Sequence, residues 1–111
     1  MLHYEYFKHD TSEKNLVFIH GAGGSSSIWF KQLRFFVRHF NVILVDLRGH
    51  GKSKSHPNDL DYTFNDVSKE VLEVLDQLSI DKAHFVGISM GCIIIREIAE
   101  IQPSRISSMI L

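Results

Sequence analysis

The sequence predicts an α/β domain, a mostly parallel sheet with helices on both faces. Three observations carry that expectation. Short apolar runs bounded by turn residues, L-V-F-I-H at 16–20, N-V-I-L-V-D at 41–46 and K-A-H-F-V-G at 82–87, have the pattern of strands buried on both faces. The segments between them place apolar residues at helical spacing. The two kinds of segment alternate with short connections, which favours parallel strands joined by right-handed crossovers.

Composition agrees with one such domain. The 111 residues are 44% hydrophobic, 23% charged and 11% aromatic, enough apolar material for one core and too much for a disordered chain. Twelve Lys and Arg against thirteen Asp and Glu leave a net charge of −1, without the basic excess of a nucleic-acid binder or the polybasic run of a membrane-surface protein. The one cysteine, Cys92, has no internal partner for a disulfide. The start M-L-H-Y-E-Y-F-K lacks an apolar signal core, and no stretch approaches the ~18 apolar residues of a membrane span. The expected compartment is the cytoplasm.

In chain order, Leu2–Lys8 is expected to be a strand and the polar run 9–15 a turn. Strand 16–20 runs into G-A-G-G-S-S-S. Residues 25–39 are expected to be helical, capped by a Ser near 25, with Ile28, Leu33, Phe36, Val37 and Phe40 on the apolar stripe. After strand 41–46 comes a loop, L-R-G-H-G-K-S-K-S-H-P-N-D. Thr63–Leu78 is the clearest helix, with Phe64, Val67, Val71, Leu72, Leu75 and Leu78 on one face and a capping box formed by Thr63 and Asp66. After strand 82–87, Met90–Ile101 is apolar nearly all round and is expected to be a buried helix stopped by Pro103. Ser107–Leu111 is expected to pair beside strand 82–87.

Three motifs carry chemistry. G-I-S-M-G at 87–91 lies between a strand and a helix. The pattern alone arises by chance in roughly 4% of chains this long, so its placement matters more than its letters. A sharp strand–turn–helix pushes Ser89 outward and demands small residues two positions either side, which Gly87 and Gly91 supply. The second motif is H-G-A-G-G at 20–24. Acyl transfer needs preorganised N–H donors for the oxyanion of a tetrahedral intermediate. Met90, at a helix start, and Ala22, in the Gly-rich turn, are the candidate donors, and Gly21 and Gly23 let the backbone approach substrate closely.

The third motif is D-L-R-G-H-G-K-S at 46–53. It is not a phosphate-binding P-loop, because Asp46 stands where the first Gly is required. A dinucleotide fingerprint from Gly49 fails at Lys54. One from Gly21 fails at Ser26, although Asp46 sits at a strand end where a ribose-binding acid would lie.

These three segments, in this order, resemble the α/β-hydrolase superfamily in its single-domain, esterase-like branch, over nearly the whole chain from Leu2 to Leu111. The resemblance implies a partial α/β-hydrolase fold, Ser89 as nucleophile, Met90 and Ala22 as oxyanion-hole donors, a small-molecule acyl substrate and no cofactor. It implies that the 46–53 loop shapes the surroundings of the site without being catalytic. Cys92 fills a position after the second Gly of the elbow that the family often keeps small. A serine nucleophile needs a general base and an acid to orient it, in the order Ser, Asp or Glu, His. The residues after Ser89 hold Glu97 and Glu100 but no His, and all seven His precede the serine. His20 and His50 are structural by analogy with the fold, His84 lies within a strand, and His3, His9, His39 and His56 are surface or core residues. None pair at metal-ligand spacing.

The chain is therefore expected to be the N-terminal half of a serine hydrolase acting on a small ester or related acyl compound, with thioesters, lactones and carbon–carbon bonds beside a ketone as related substrates. As a truncated chain it is expected to be inactive alone and to self-associate or join a complementing C-terminal fragment. The competing expectation is a non-catalytic ligand- or partner-binding member of the same fold.

Overall fold

The computed structural model describes residues 1–53 and 62–111. The end of the loop after Ser53, with Lys54 and His56, lies outside the described residues. Strands β1 (Tyr4–Phe7), β2 (Asn15–Ile19), β3 (Asn41–Val45), β4 (Ala83–Gly87) and β5 (Ile106–Ile110) form one sheet in the order β1-β3-β2-β4-β5. β1 runs antiparallel to β3, and the other neighbours are parallel, which is the mostly parallel sheet read from the sequence.

The apolar runs form strands because both faces of the sheet are covered. Val17, Ile19, Ile43, Val45 and Phe85 point to one face, against α2 (Phe64–Gln77) and α3 (Met90–Ile101). Leu16, Phe18, Val42 and Leu44 point to the other, against Trp29 and the helix α1 (Phe30–Phe36). Period-two side chains thus feed two separate cores. The 9–15 turn is tied to the sheet by Asn41, whose Oδ1 accepts from the His9 N–H at 2.6 Å and whose Nδ2 donates to the Ser12 carbonyl at 3.0 Å. Among the described residues no helix is long and apolar enough to cross a membrane.

Three expectations need correction. The helix expected over 25–39 is a 3-10 turn, Ser26–Trp29, followed by the shorter α1, with Ser25 capping through its hydroxyl and the Ser27 N–H. Three residues per turn rotate the stripe relative to an α-helix. Ile28 is consequently 46% exposed, and Trp29 takes its place in the core with its ring 5.0 Å from Phe18. α3 is not buried all round either. Ile94, Ile95 and Ile98 are buried, while Ile93 is 43% exposed on the outer face. The capping box of α2 is as read: the Asp66 N–H donates to Thr63 Oγ1 at 3.1 Å and the Thr63 N–H to Asp66 Oδ2 at 3.0 Å. Phe64, at its first turn, is exposed rather than part of the stripe.

The strand order places the site. From β2 the chain moves to one neighbour, β3, and then crosses to the other neighbour, β4. The connections leaving β2 and β4 therefore part at the C-terminal ends of two adjacent strands. Such a switch point leaves a crevice in an open α/β sheet.

Candidate active site

Both motif turns open at that crevice. β4 ends at Gly87, and the chain reverses through Ile88 and Ser89 into α3. Ser89 has φ 56 and ψ −119, a positive-φ conformation that non-glycine residues rarely adopt, and its side chain is exposed. Packing enforces this bend. A Cβ on Gly87 would lie 2.6 Å from Ile95 Cδ1 and 3.0 Å from the Gly91 carbonyl carbon. One on Gly91 would run into the Ile19 carbonyl oxygen and come within 2.9 Å of the His20 carbonyl oxygen. Both glycines are required because the start of α3 sits directly on the end of β4 at Gly87 and on the end of β2 at Gly91.

The turn after β2 backs onto the serine. The Ile88 N–H donates to the Ile19 carbonyl at 3.3 Å, and a Cβ on Gly21 would lie 3.0 Å from Ser89 Cβ and 3.5 Å from Ser89 Oγ. Residues 21–24 form a β-turn closed by the Gly24 N–H on the Gly21 carbonyl at 3.1 Å, with Gly23 at φ 77 in its third position, as a type II turn requires. Among the described residues, neither the Ala22 N–H nor the Met90 N–H has an acceptor. The Met90 N–H opens the twelve-residue α3, where the free N–H groups of a helix start favour negative charge.

The loop after β3 is built into the same end of the sheet. Buried Asp46 accepts from the Ser26 N–H at 2.8 Å and the Lys52 N–H at 3.1 Å. Burial pushes its carboxyl up, but the bonds from Ser26 and Lys52 outweigh that and hold it below the ordinary value. With both oxygens committed to backbone N–H groups, Asp46 is not offered to a ribose. Gly51 is required beside it, since a Cβ there would lie 2.5 Å from the carboxyl carbon.

His20 is fully buried. Its Nε2 accepts from the Leu47 N–H at 3.0 Å, which leaves the proton on Nδ1 to bond the Gly21 carbonyl at 2.7 Å. Burial lowers its pKa, against the raising effect of the Gly21 bond. His50 is engaged in the same way, its Nε2 accepting from the Gly23 N–H at 2.9 Å and its Nδ1 bonding the Arg48 carbonyl at 3.0 Å. Both rings are therefore structural, and neither has a free nitrogen for Ser89.

The remaining candidates are placed elsewhere. His84 bonds Ser108 Oγ at 2.6 Å across β4 and β5, and Glu97 accepts from Asn65 of α2 at 3.1 Å. His20 and His50 are structural, as expected, but the backbone groups they hold, and the role of Asp46 as a pin, are not legible in the sequence. Their signal was only that each sits in or beside a Gly-rich turn. A cavity of about 580 Å³ lies between the two loops, lined by Gly23, Gly24, Ser25, Ile28 and His50 among others.

Comparison with known proteins agrees with this geometry. The family described as alpha/beta hydrolase fold matches residues 14–111. The 3-oxoadipate enol-lactonase 1 of Acinetobacter baylyi is 38% identical over 76 residues, covering 68% of this chain and 27% of its own. The (E)-2-((N-methylformamido)methylene)succinate hydrolase of the same organism is 30% identical over 104 residues, covering 94% of this chain and 38% of its own. A crystal structure of a hydrolase from Pseudomonas aeruginosa PA01 superposes with a TM-score of 0.89 at 34% identity, over 99% of this chain and 40% of that one. The chain thus spans well under half the length of these relatives. With an elbow serine, a Gly-rich turn behind it and a family match over nearly all its residues, the chain belongs to the alpha/beta hydrolase fold family.

Proposed function

We propose that this chain supplies the nucleophile half of a serine hydrolase acting on a small ester or related acyl compound. One observation carries the reading: Ser89 is held at positive φ against the Gly21 turn, beside two backbone N–H groups, of Ala22 and Met90, without acceptors among the described residues. A serine held only for structure needs neither the strain nor the unpaired donors.

In the reaction, Ser89 Oγ attacks the carbonyl carbon as a general base takes its proton. The carbonyl oxygen becomes an oxyanion held by the Ala22 and Met90 N–H groups. The C–O bond to the leaving group breaks, the base's proton passes to the departing alkoxide, and an acyl-enzyme remains. Water, deprotonated by the same base, then releases the acid and restores Ser89. Gly21 and Gly23 keep the approach to the oxyanion narrow but free of side chains.

The base and its orienting acid are proposed to come from a segment following these 111 residues. His20 and His50 are committed to backbone, and Glu97 is bonded to Asn65. More than half of each relative's length lies outside the matched part. The edge of β5, unpaired on its far side among the described residues, is a place for that segment to join the sheet. The serine argues against a dehalogenase, which in this fold would place a carboxylate there. The lactonase and hydrolase relatives support acyl cleavage, lactones included.

The test is intact mass of the full-length protein before and after a fluorophosphonate, together with turnover of a short-chain ester panel. A single adduct absent from Ser89→Ala, with ester turnover, is the expected result. No adduct and no turnover would overturn the reading in favour of a ligand-binding member of the fold.

A further inference from the structure

The Leu47–Ser53 loop takes no part in the chemistry above, yet it holds the oxyanion turn directly through His50 and indirectly through the Leu47 N–H on His20. We propose that this loop aims the Ala22 N–H, with His50 and His20 as positioning residues; the proposal rests on the serine-hydrolase reading.

The Gly21 carbonyl and the Ala22 N–H belong to one planar trans peptide unit, so fixing one fixes the other. The Gly21 oxygen accepts twice, from the Gly24 N–H at 3.1 Å and from His20 Nδ1 at 2.7 Å. The Ala22 N–H points the opposite way. Bonds to the carbonyl also polarise the amide and strengthen its donor. His20 gives this bond only with its proton on Nδ1, and the Leu47 N–H at Nε2 sets that tautomer.

The next peptide unit is held by His50. Its Nε2 accepts from the Gly23 N–H at 2.9 Å, while its Nδ1 proton is turned to the Arg48 carbonyl. Packing holds this unit little, because Ala22 and Gly23 are both exposed and a Cβ on Gly23 would meet nothing within 4 Å. Glycine also moves readily between positive and negative φ. Without His50, the Ala22–Gly23 peptide is free to turn over, which rotates ψ of Ala22 and loosens the donor ahead of it. The two rings lie 5.1 Å apart between centroids, so the loop holds both peptides of the turn from one side.

The experiment compares His50→Phe and His50→Gln in the full-length protein. An oxyanion bond strengthens only in the transition state, so its misalignment lowers kcat and leaves KM nearly unchanged. Removing a whole donor costs about 10²–10³ in kcat, and a misaimed one about 10–100-fold in His50→Phe. Glutamine places an amide oxygen near the Nε2 position and should restore most of that loss. Unchanged kcat in His50→Phe, a loss confined to KM, or an equal loss in His50→Gln would overturn the proposal. If His50→Phe does not fold, the wild-type protein still decides: a scalar coupling between the Gly23 and His50 Nε2 nitrogens must be seen by NMR, and its absence overturns the proposal. Wild-type protein that shows the coupling but neither adduct nor turnover overturns the hydrolase reading instead, and the positioning role with it.

Discussion

Gly91 stands where the first turn of α3 meets the end of β2, and any side chain there strikes the Ile19 carbonyl. The obstacle is sheet backbone, which does not rotate away. Gly91→Ala should therefore cost about 1–3 kcal/mol as an overpacked contact, read as a lower urea midpoint, and should displace the elbow enough to slow labelling of Ser89. Buried ionisable groups set a second prediction. Burial holds His20 neutral in the folded chain, whereas the unfolded chain gains a proton below the ordinary 6.5. Stability then falls as pH drops below that value, until the folded ring also protonates. Asp46 has the carboxylate sign: its contribution is present above the ordinary 3.8 and is lost as pH falls through its lower folded value. Urea midpoints measured from pH 7 to pH 3 should decline in these two windows, with His20→Asn flattening the first and Asp46→Asn the second. At this scale the sequence showed Ser89, Gly87 and Gly91 plainly, because a strained bend leaves a local pattern of small residues. It hid the pins. A histidine that bonds a backbone amide 27 residues away, as both His20 and His50 do, leaves no local pattern at all.

The elements divide in the same way. β2 and β3 are legible because strands covered on both faces are apolar at every position after their opening Asn15 and Asn41. α2 was legible because its cap is local, with Thr63 and Asp66 three residues apart. The 25–39 segment departs from its expected single helix because a 3-10 turn and an α-helix draw on the same residues and differ in phase. The phase is set by Trp29 seating on Phe18, a contact between the turn and one face of the sheet that spacing does not encode. This difference has a measurable consequence. An unbroken α-helix with Ile28 in its stripe would make Ile28→Ser costly. The observed phase makes it nearly neutral, while Trp29→Ala should cost about 3–5 kcal/mol, as loss of a buried aromatic side chain does. Chemical denaturation of the two variants side by side separates the two phases.

For the molecule as a whole, the two edges of the sheet are unequal. β1 closes one edge as a short antiparallel strand carrying Glu5 at its centre. β5 lies at the other edge, with no strand on its far side among the described residues. It also shows apolar side chains on both faces: Met109, beside Phe85, is 43% exposed and Ile110, beside Val86, is 62% exposed. Next to Ile110 an apolar groove of about 280 Å³ runs past Leu16, Phe36, Phe40 and Val86. Unpaired N–H and C=O groups flanked by exposed apolar side chains are a template for another strand. The 111-residue chain on its own should therefore self-associate through β5, with a sedimentation coefficient that rises with concentration. Met109→Lys puts a charge on the exposed edge without touching the elbow or the oxyanion turn. It should shift the chain toward monomer and leave the melting temperature of the β2–β4 core nearly unchanged. The same substitution in a longer protein, where a following segment pairs with β5, should instead lower stability, because the charge is then buried. A 111-residue chain that stays monomeric across the concentration range with β5 unprotected from hydrogen exchange would show that this edge is not used for pairing.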